Sequence, residues 1–261
     1  MPKAKLNGIN IYYEDNGQGF PVIFTHGYAG TTKSWDGQVA AFSKKYRFIT
    51  HDMRGHGQTD SPADLAKYNQ DIVVEDIYQV LRHLGIKKAV IGGLSLGGYL
   101  TIHFYNQHPD MTAAIILMDT GPGYRTPEKA KDWNQTRIEC AEVLETRGIK
   151  GFMASPYSRS DYYTSPEVMM KHNPKGLANV SRGVMINPWG LDILPNVKVP
   201  TLVMCGDKDT DFLPATDYMV QRIPGAKKMV ITDAGHGVNI DQPQAFNAAV
   251  LEFLDSLKLK S

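Results

Sequence analysis

The five residues Gly93-Leu94-Ser95-Leu96-Gly97 constrain the fold of this chain more than any other feature. They follow an apolar stretch typical of a buried strand, 88–92, and precede a stretch typical of a helix, 98–105. A strand that turns directly into a helix needs a tight, strained turn, and glycines at its flanks avoid the clashes that a Cβ would cause. The pattern therefore predicts a nucleophile elbow, with Ser95 projecting from the strand end at the N-terminus of a helix.

A serine hydroxyl needs a neighbouring base to become a nucleophile, and His236 is the candidate. It lies in the loop Ala234-Gly235-His236-Gly237, directly after the apolar stretch 228–232, which is typical of a strand. It also follows Ser95 in the chain, as the order serine, acid, histidine requires. The sequence therefore predicts His236 as the base.

The acid of such a triad has two candidates, because two apolar strands each end beside an aspartate. Asp209 lies in the loop after 199–205, and Asp119 directly follows 114–118. Either carboxylate would hold the second imidazole nitrogen and stabilise the imidazolium. We prefer Asp209, and Asp119 remains the alternative. Asp207 is expected to shape the turn before Asp209.

Two further segments complete an ordered set. His26-Gly27-Tyr28 follows the strand 21–25, and Asp52-Met53-Arg54-Gly55-His56-Gly57-Gln58-Thr59 follows the strand-like stretch 47–50. Together with the Ser95 elbow, the loop that bears Asp209 and the loop that bears His236, they make five motifs. Each motif alone is weak evidence, but five in this order, each behind an apolar strand, are strong evidence for one fold family. Over nearly its whole length the chain resembles the α/β hydrolases. The resemblance implies an oxyanion hole built from the backbone N–H groups of Leu96 and Tyr28.

The domain organisation follows from where strands alternate with helical stretches. This alternation predicts an α/β fold with a mostly parallel sheet and helices on both faces. We expect residues 1–121 and 197–261 to form this core domain. The resemblance implies that the intervening 122–196, which is rich in proline and lacks clear strands, forms a mobile helical cap. Within it, helices are predicted over about 131–144 and 177–186.

The cap would supply most of the substrate pocket. Four of its apolar side chains are candidate substrate contacts: Trp133, Met153, Met185 and Trp189. Its arginines, Arg125, Arg137, Arg159 and Arg182, are candidates for binding a substrate carboxylate.

Composition excludes several other classes. The net charge of the 261 residues is +1, so no basic surface indicates a nucleic-acid or membrane partner. Two cysteines do not form a disulfide framework, and no apolar run reaches the length of a membrane span. We expect a cytoplasmic enzyme with a small-molecule substrate. No cofactor and no metal are expected, and the oligomeric state stays open.

The expected reaction is hydrolysis of a small, largely apolar ester or lactone through an acyl-enzyme on Ser95. The resemblance is strongest to small esterases and enol-lactonases. A carbon–carbon bond hydrolase, a lyase of the menaquinone-pathway type and a cofactor-free perhydrolase remain alternatives on the same triad. A small-molecule receptor with a nearly silent triad is the alternative from another class.

Overall fold

An eight-stranded sheet forms the centre of the protein in this computed structural model, which describes residues 3–158 and 165–259. The strands lie in the order β1-β2-β4-β3-β5-β6-β7-β8. Pairing is antiparallel for β1 with β2 and for β2 with β4, and parallel everywhere else. The mostly parallel sheet confirms the predicted fold class. The strand bounds are β1 Lys3–Leu6, β2 Ile9–Asn16, β3 Phe20–Thr25, β4 Tyr46–His51, β5 Ala89–Leu94, β6 Thr112–Met118, β7 Thr201–Gly206 and β8 Lys227–Ile231.

Helices cover both faces of the sheet, as an α/β fold requires. In β5, Ile91 packs into a cluster that contains Ile77 and Leu100. Its neighbour Val90 packs into a second cluster with Phe42 and Phe246 on the other face. The helix bounds are α1 Asp36–Phe42, α2 Gln70–His83, α3 Leu96–Gln107, α4 Pro127–Met153, α5 Pro166–Met169, α6 Pro174–Gly183, α7 Leu213–Arg222, α8 Val238–Asp241 and α9 Pro243–Ser256.

The register of the central strands brings three loops to one edge of the sheet. Leu94 at the end of β5 pairs with Met118 at the end of β6, and Met118 pairs with Met204 in β7. Carboxyl ends of parallel strands meet at the same edge, which is where α/β sheets bind ligands. The residues that follow these strands therefore converge.

The segment 122–196 lies between β6 and β7 and contains α4, α5 and α6. Its first residue contacts a residue near its far end, because the Gly190 N–H donates to the Pro122 carbonyl at 2.7 Å. Within it, the Trp133 indole donates to the Met185 carbonyl at 2.6 Å. Helix α4 extends well beyond the predicted 131–144 and is kinked at Gly148, where φ is 62°.

Helix α6 begins three residues before the predicted start. The Asn173 side chain accepts hydrogen bonds from the N–H groups of Lys175 and Gly176, which caps the helix at that point.

Candidate active site

Ser95 occupies a strained turn between β5 and α3. Its φ of 53° lies in the left-handed region, which a residue other than glycine adopts only at a cost of about 1–3 kcal/mol. A Cβ on Gly97 would lie 2.1 Å from the Thr25 carbonyl oxygen, and one on Gly93 would lie 2.2 Å from the Gly97 carbonyl carbon. Glycine is therefore required at both flanks, and the elbow geometry follows from the local sequence.

His236 and Asp209 form a buried pair. The His236 Nδ1 lies 2.8 Å from the Asp209 Oδ2, and the two side chains are 7% and 2% exposed. Because an ionised carboxylate can only accept, Nδ1 carries the proton and Nε2 is the ring's basic nitrogen. The ring centroid also lies 4.7 Å from that of Phe212, which packs beside it. The pair has the geometry that orients a general base.

Asp119 lies close to this pair but makes different contacts. Its two carboxylate oxygens accept the backbone N–H groups of Gly206, at 2.9 Å, and Val238, at 3.0 Å. These bonds tie the loop that bears Asp209 to the loop that bears His236. Asp119 is fully buried, and burial raises the pKa of its carboxyl to about 7, while the nearby His236 opposes that rise.

Cys205 completes a buried group of possible metal donors with Asp119 and Asp209, whose ligand atoms all lie within 4.8 Å of one another. Burial raises the pKa of the Cys205 thiol above its ordinary range, with the two carboxylates adding to the rise. The thiol is therefore protonated rather than a metal-binding thiolate. The Asp119 and Asp209 carboxylates already accept protein hydrogen bonds, so this donor set fits a metal ion poorly.

The two residues expected to form the oxyanion hole belong to segments that run close to Ser95. Leu96 begins α3, directly after Ser95. Tyr28 is buried in the loop after β3. This loop runs close to the elbow, since a Cβ on Gly27 would lie 3.4 Å from the Ser95 Cβ.

A cavity of about 360 Å³ opens over Ser95. Trp133 and Met185, two of the four predicted contacts, line it. The other two lie elsewhere: Met153 packs against a hydrophobic cluster, and Trp189 is 52% exposed with its indole donating to Asp192. The lining residues are Ser95, Leu96, Tyr99, Thr120, Gly121, Gly123, Tyr124, Trp133, Met185, Pro188, Asp211, Phe212 and Ala215.

Tyr99 lines the cavity without having been predicted, although its spacing from Ser95 carried the signal. It lies four residues after the serine, hence on the same face of α3. Its hydroxyl donates to Gln70 Oε1 at 2.5 Å and accepts the Trp189 N–H at 3.2 Å, and burial raises the pKa of Tyr99 to about 12. Thr120, Tyr124 and Phe212 were also missed, because nothing local marks them.

Three of the four predicted carboxylate-binding arginines, Arg125, Arg137 and Arg182, lie outside this lining. Arg125 lies over the Tyr218 ring, Arg137 lies over the Trp133 ring, and Arg182 pairs with Glu145. Arg159 lies outside the described residues.

Comparison with known proteins agrees with this architecture. The model of the α/β-hydrolase fold family matches residues 21–243. The chain belongs to this family.

Individual relatives are similar over nearly their full lengths. A thermophilic esterase from Thermogutta terrifontis superposes with a TM-score of 0.86 at 30% identity, covering 98% of this chain and 99% of that one. The 3-oxoadipate enol-lactonase 1 of Acinetobacter baylyi is 28% identical, over 91% of this chain and 89% of the relative. A non-heme haloperoxidase from Rhodococcus erythropolis is 26% identical, over 96% and 97%. These relatives support a hydrolase function.

Over residues 3–158 and 165–259, none of the helices combines the length and the apolar character that crossing a membrane requires.

Proposed function

We propose that this protein is a carboxylic ester hydrolase that cleaves a small, uncharged ester or lactone through an acyl-enzyme on Ser95. The observation that carries the proposal is the strained Ser95 elbow at the floor of a cavity. Phe212, in the wall of that cavity, packs on the hydrogen-bonded His236–Asp209 pair. This arrangement supports a nucleophile, a base and an acid that orients the base acting at one cavity.

In the first half of the reaction, His236 Nε2 takes the Ser95 hydroxyl proton as the oxygen attacks the substrate carbonyl. The N–H groups of Leu96 and Tyr28 stabilise the developing oxyanion. His236 then gives the proton to the leaving alkoxide, and the C–O bond of the ester breaks. In the second half, water loses a proton to His236 as it attacks the acyl carbon. The bond from that carbon to Ser95 Oγ then breaks, and His236 returns the proton to Oγ as the acid leaves.

Asp209 supports both halves, because it keeps the proton on Nδ1 and stabilises the imidazolium that forms. Asp119 acts through backbone groups, since it joins the two loops that carry this pair. We infer that 122–196 is a cap whose inner face selects the substrate, because Trp133, Met185 and Pro188 contribute to the cavity lining.

The lining favours an uncharged substrate. Within the described part of the chain, it contains one acidic side chain, Asp211, and no lysine, arginine or histidine. Among the described lining residues, no cationic side chain would replace the hydration that a substrate carboxylate loses in this cavity. Of the arginines that the lyase alternative would need around a carboxylate, Arg125 and Arg137 lie outside this lining.

The test is steady-state hydrolysis of p-nitrophenyl acetate and butyrate by the wild type and by Ser95→Ala. We expect fast turnover by the wild type and a loss of about 10⁶ in kcat for the variant, by analogy with other serine triads. Ser43→Ala, which changes a serine outside the cavity lining, is the matched control and should retain full activity.

Two results would oppose the proposal. Binding of esters without turnover by the wild type would favour the receptor alternative. Near wild-type kcat in Ser95→Ala would mean that Ser95 is not the nucleophile. Product analysis with added peroxide separates ester hydrolysis from the perhydrolase alternative.

A further inference from the structure

Three imidazoles form a buried column behind the loop that bears Tyr28. The His26 and His56 ring centroids lie 5.0 Å apart, and those of His56 and His172 lie 5.7 Å apart. His26 follows β3 and His56 follows β4, but His172 comes from the segment 122–196, directly before α6. All three are at most 4% exposed. The column therefore joins the inserted segment to the core behind the proposed oxyanion hole.

The backbone donors around the column determine which nitrogen of each ring carries the proton. His56 Nε2 accepts the Ala29 N–H at 3.0 Å, so its proton lies on Nδ1, which faces the Arg54 carbonyl at 3.2 Å. His172 Nδ1 accepts the Gly57 N–H at 3.2 Å, so Nε2 carries the proton. That Nε2–H donates to the Ala29 carbonyl at 3.0 Å. Imidazoles thus bind both backbone polar groups of Ala29.

Neutral rings are essential to this arrangement, because a protonated imidazole has no acceptor nitrogen. Burial lowers the pKa of His172 to about 4 and that of His26 to about 3, and lowers the pKa of His56 well below its ordinary value. The column therefore stays neutral at the pH at which hydrolases of this kind are assayed.

The backbone conformation of Ala29 needs such support. Its φ of 59° is in the left-handed region, which a residue with a Cβ adopts only when its surroundings hold it there. Its neighbour Tyr28 supplies the proposed oxyanion N–H. The Tyr28 hydroxyl donates to the Leu177 carbonyl of α6 at 3.0 Å, which is a second contact to the same inserted segment. Residues 172–177 thus contact both Tyr28 and Ala29 in the loop that would form the oxyanion hole.

We propose that His172 is a positioning residue for the oxyanion hole: its Nε2–H bond to the Ala29 carbonyl holds the loop so that the Tyr28 N–H points at the reacting carbonyl oxygen. The inference rests on the proposed function and goes beyond it, because His172 lies in the inserted segment and does not line the cavity. Losing the bond should weaken binding of the tetrahedral state and leave binding of substrate and product unchanged.

Two substitutions at this position separate the two hydrogen bonds. His172→Gln keeps a donor at the position of Nε2 and should preserve the bond to Ala29. His172→Asn keeps an acceptor at the position of Nδ1 and should lose that bond. His108→Asn is the matched control, because His108 stacks on Tyr78 and lies outside the column.

The readouts are kcat for p-nitrophenyl butyrate and the inhibition constants of two ligands. A trifluoromethyl ketone forms a tetrahedral adduct with the serine, whereas the alcohol product binds without one. For His172→Asn we expect kcat and affinity for the ketone to fall together, by about 10- to 100-fold, somewhat less than the loss of a whole oxyanion donor. Affinity for the alcohol and KM for the ester should each stay within about twofold of the wild-type values. For His172→Gln, kcat and the inhibition constants of both ligands should stay within about threefold of the wild-type values.

The proposal is overturned if His172→Asn retains wild-type kcat, or if it loses affinity for the alcohol as much as for the ketone. If His172→Asn does not fold, Tyr28→Phe removes the other contact and should give the same selective loss of affinity for the ketone. The outcome is distinguishable from failure of the proposed function. An inactive wild type, or an active Ser95→Ala, refutes the ester hydrolase itself, whereas a normal His172→Asn in an active enzyme refutes only the positioning role.

Discussion

Exchanging each of the two buried aspartates for asparagine should separate the acid that we propose orients the base from the acid that joins the loops. Asp209 lies 2.8 Å from His236 Nδ1, whereas Asp119 binds two backbone N–H groups. Asp209→Asn should therefore let the imidazole adopt the wrong tautomer, with a loss of about 10⁴ in kcat. That loss corresponds to about 5 kcal/mol of transition-state stabilisation.

Asp119→Asn should act mainly on stability. An asparagine has one carbonyl oxygen for two backbone donors, so either the Gly206 or the Val238 N–H would face an amide NH2. A buried donor without an acceptor costs about 1–3 kcal/mol in the free energy of unfolding. The loss in kcat should be far smaller than for Asp209→Asn, because the His236–Asp209 bond remains.

The assay is kcat for p-nitrophenyl butyrate at about pH 8, with urea unfolding of the same samples. Asp207→Asn is the control, since Asp207 lies in the same loop and accepts the Ala234 N–H, at 3.3 Å. The reasoning is refuted if Asp119→Asn loses as much activity as Asp209→Asn. It is equally refuted if Asp209→Asn keeps a tenth or more of wild-type kcat.

Two further predictions concern pH and substrate size. Burial raises the pKa of Asp119 to about 7, above the value of about 4 in an unfolded chain, so the protonated form is favoured by folding. The contribution of the protonated carboxyl to stability is complete below about pH 4 and is lost as the pH rises through about 7. Asp119→Asn should therefore gain stability relative to wild type as the pH rises from about 4 to about 7, measured by urea unfolding at each pH. An unchanged difference would contradict this. Trp133→Ala and Met185→Ala should alter KM across a series of p-nitrophenyl acyl esters more than they alter kcat on the acetate, because both side chains line the cavity. Met153→Ala and Trp189→Ala are the controls and should not change KM in this way. Equal effects of all four substitutions would contradict this prediction.

Local sequence was sufficient where the backbone itself limits what can occupy a position. The elbow is the clearest example, because any other residue at position 93 or 97 would place its Cβ within about 2 Å of backbone atoms. The apolar stretches likewise predicted the central strands to within a few residues, since strands buried on both faces have few polar residues. Ser95 at a strand end and His236 in a late loop follow from these local patterns.

The choice between Asp119 and Asp209 depended on tertiary structure, because both follow apolar strands that end at the same sheet edge. What distinguishes them is which loop reaches the His236 ring, a contact between residues 27 positions apart for Asp209. The composition of the cavity and the His172 contact to Ala29, 143 positions away, are likewise absent from any local pattern. Such contacts form only when the inserted segment packs on the core, so the sequence alone determines the backbone that carries the site, and tertiary packing decides which side chains surround it.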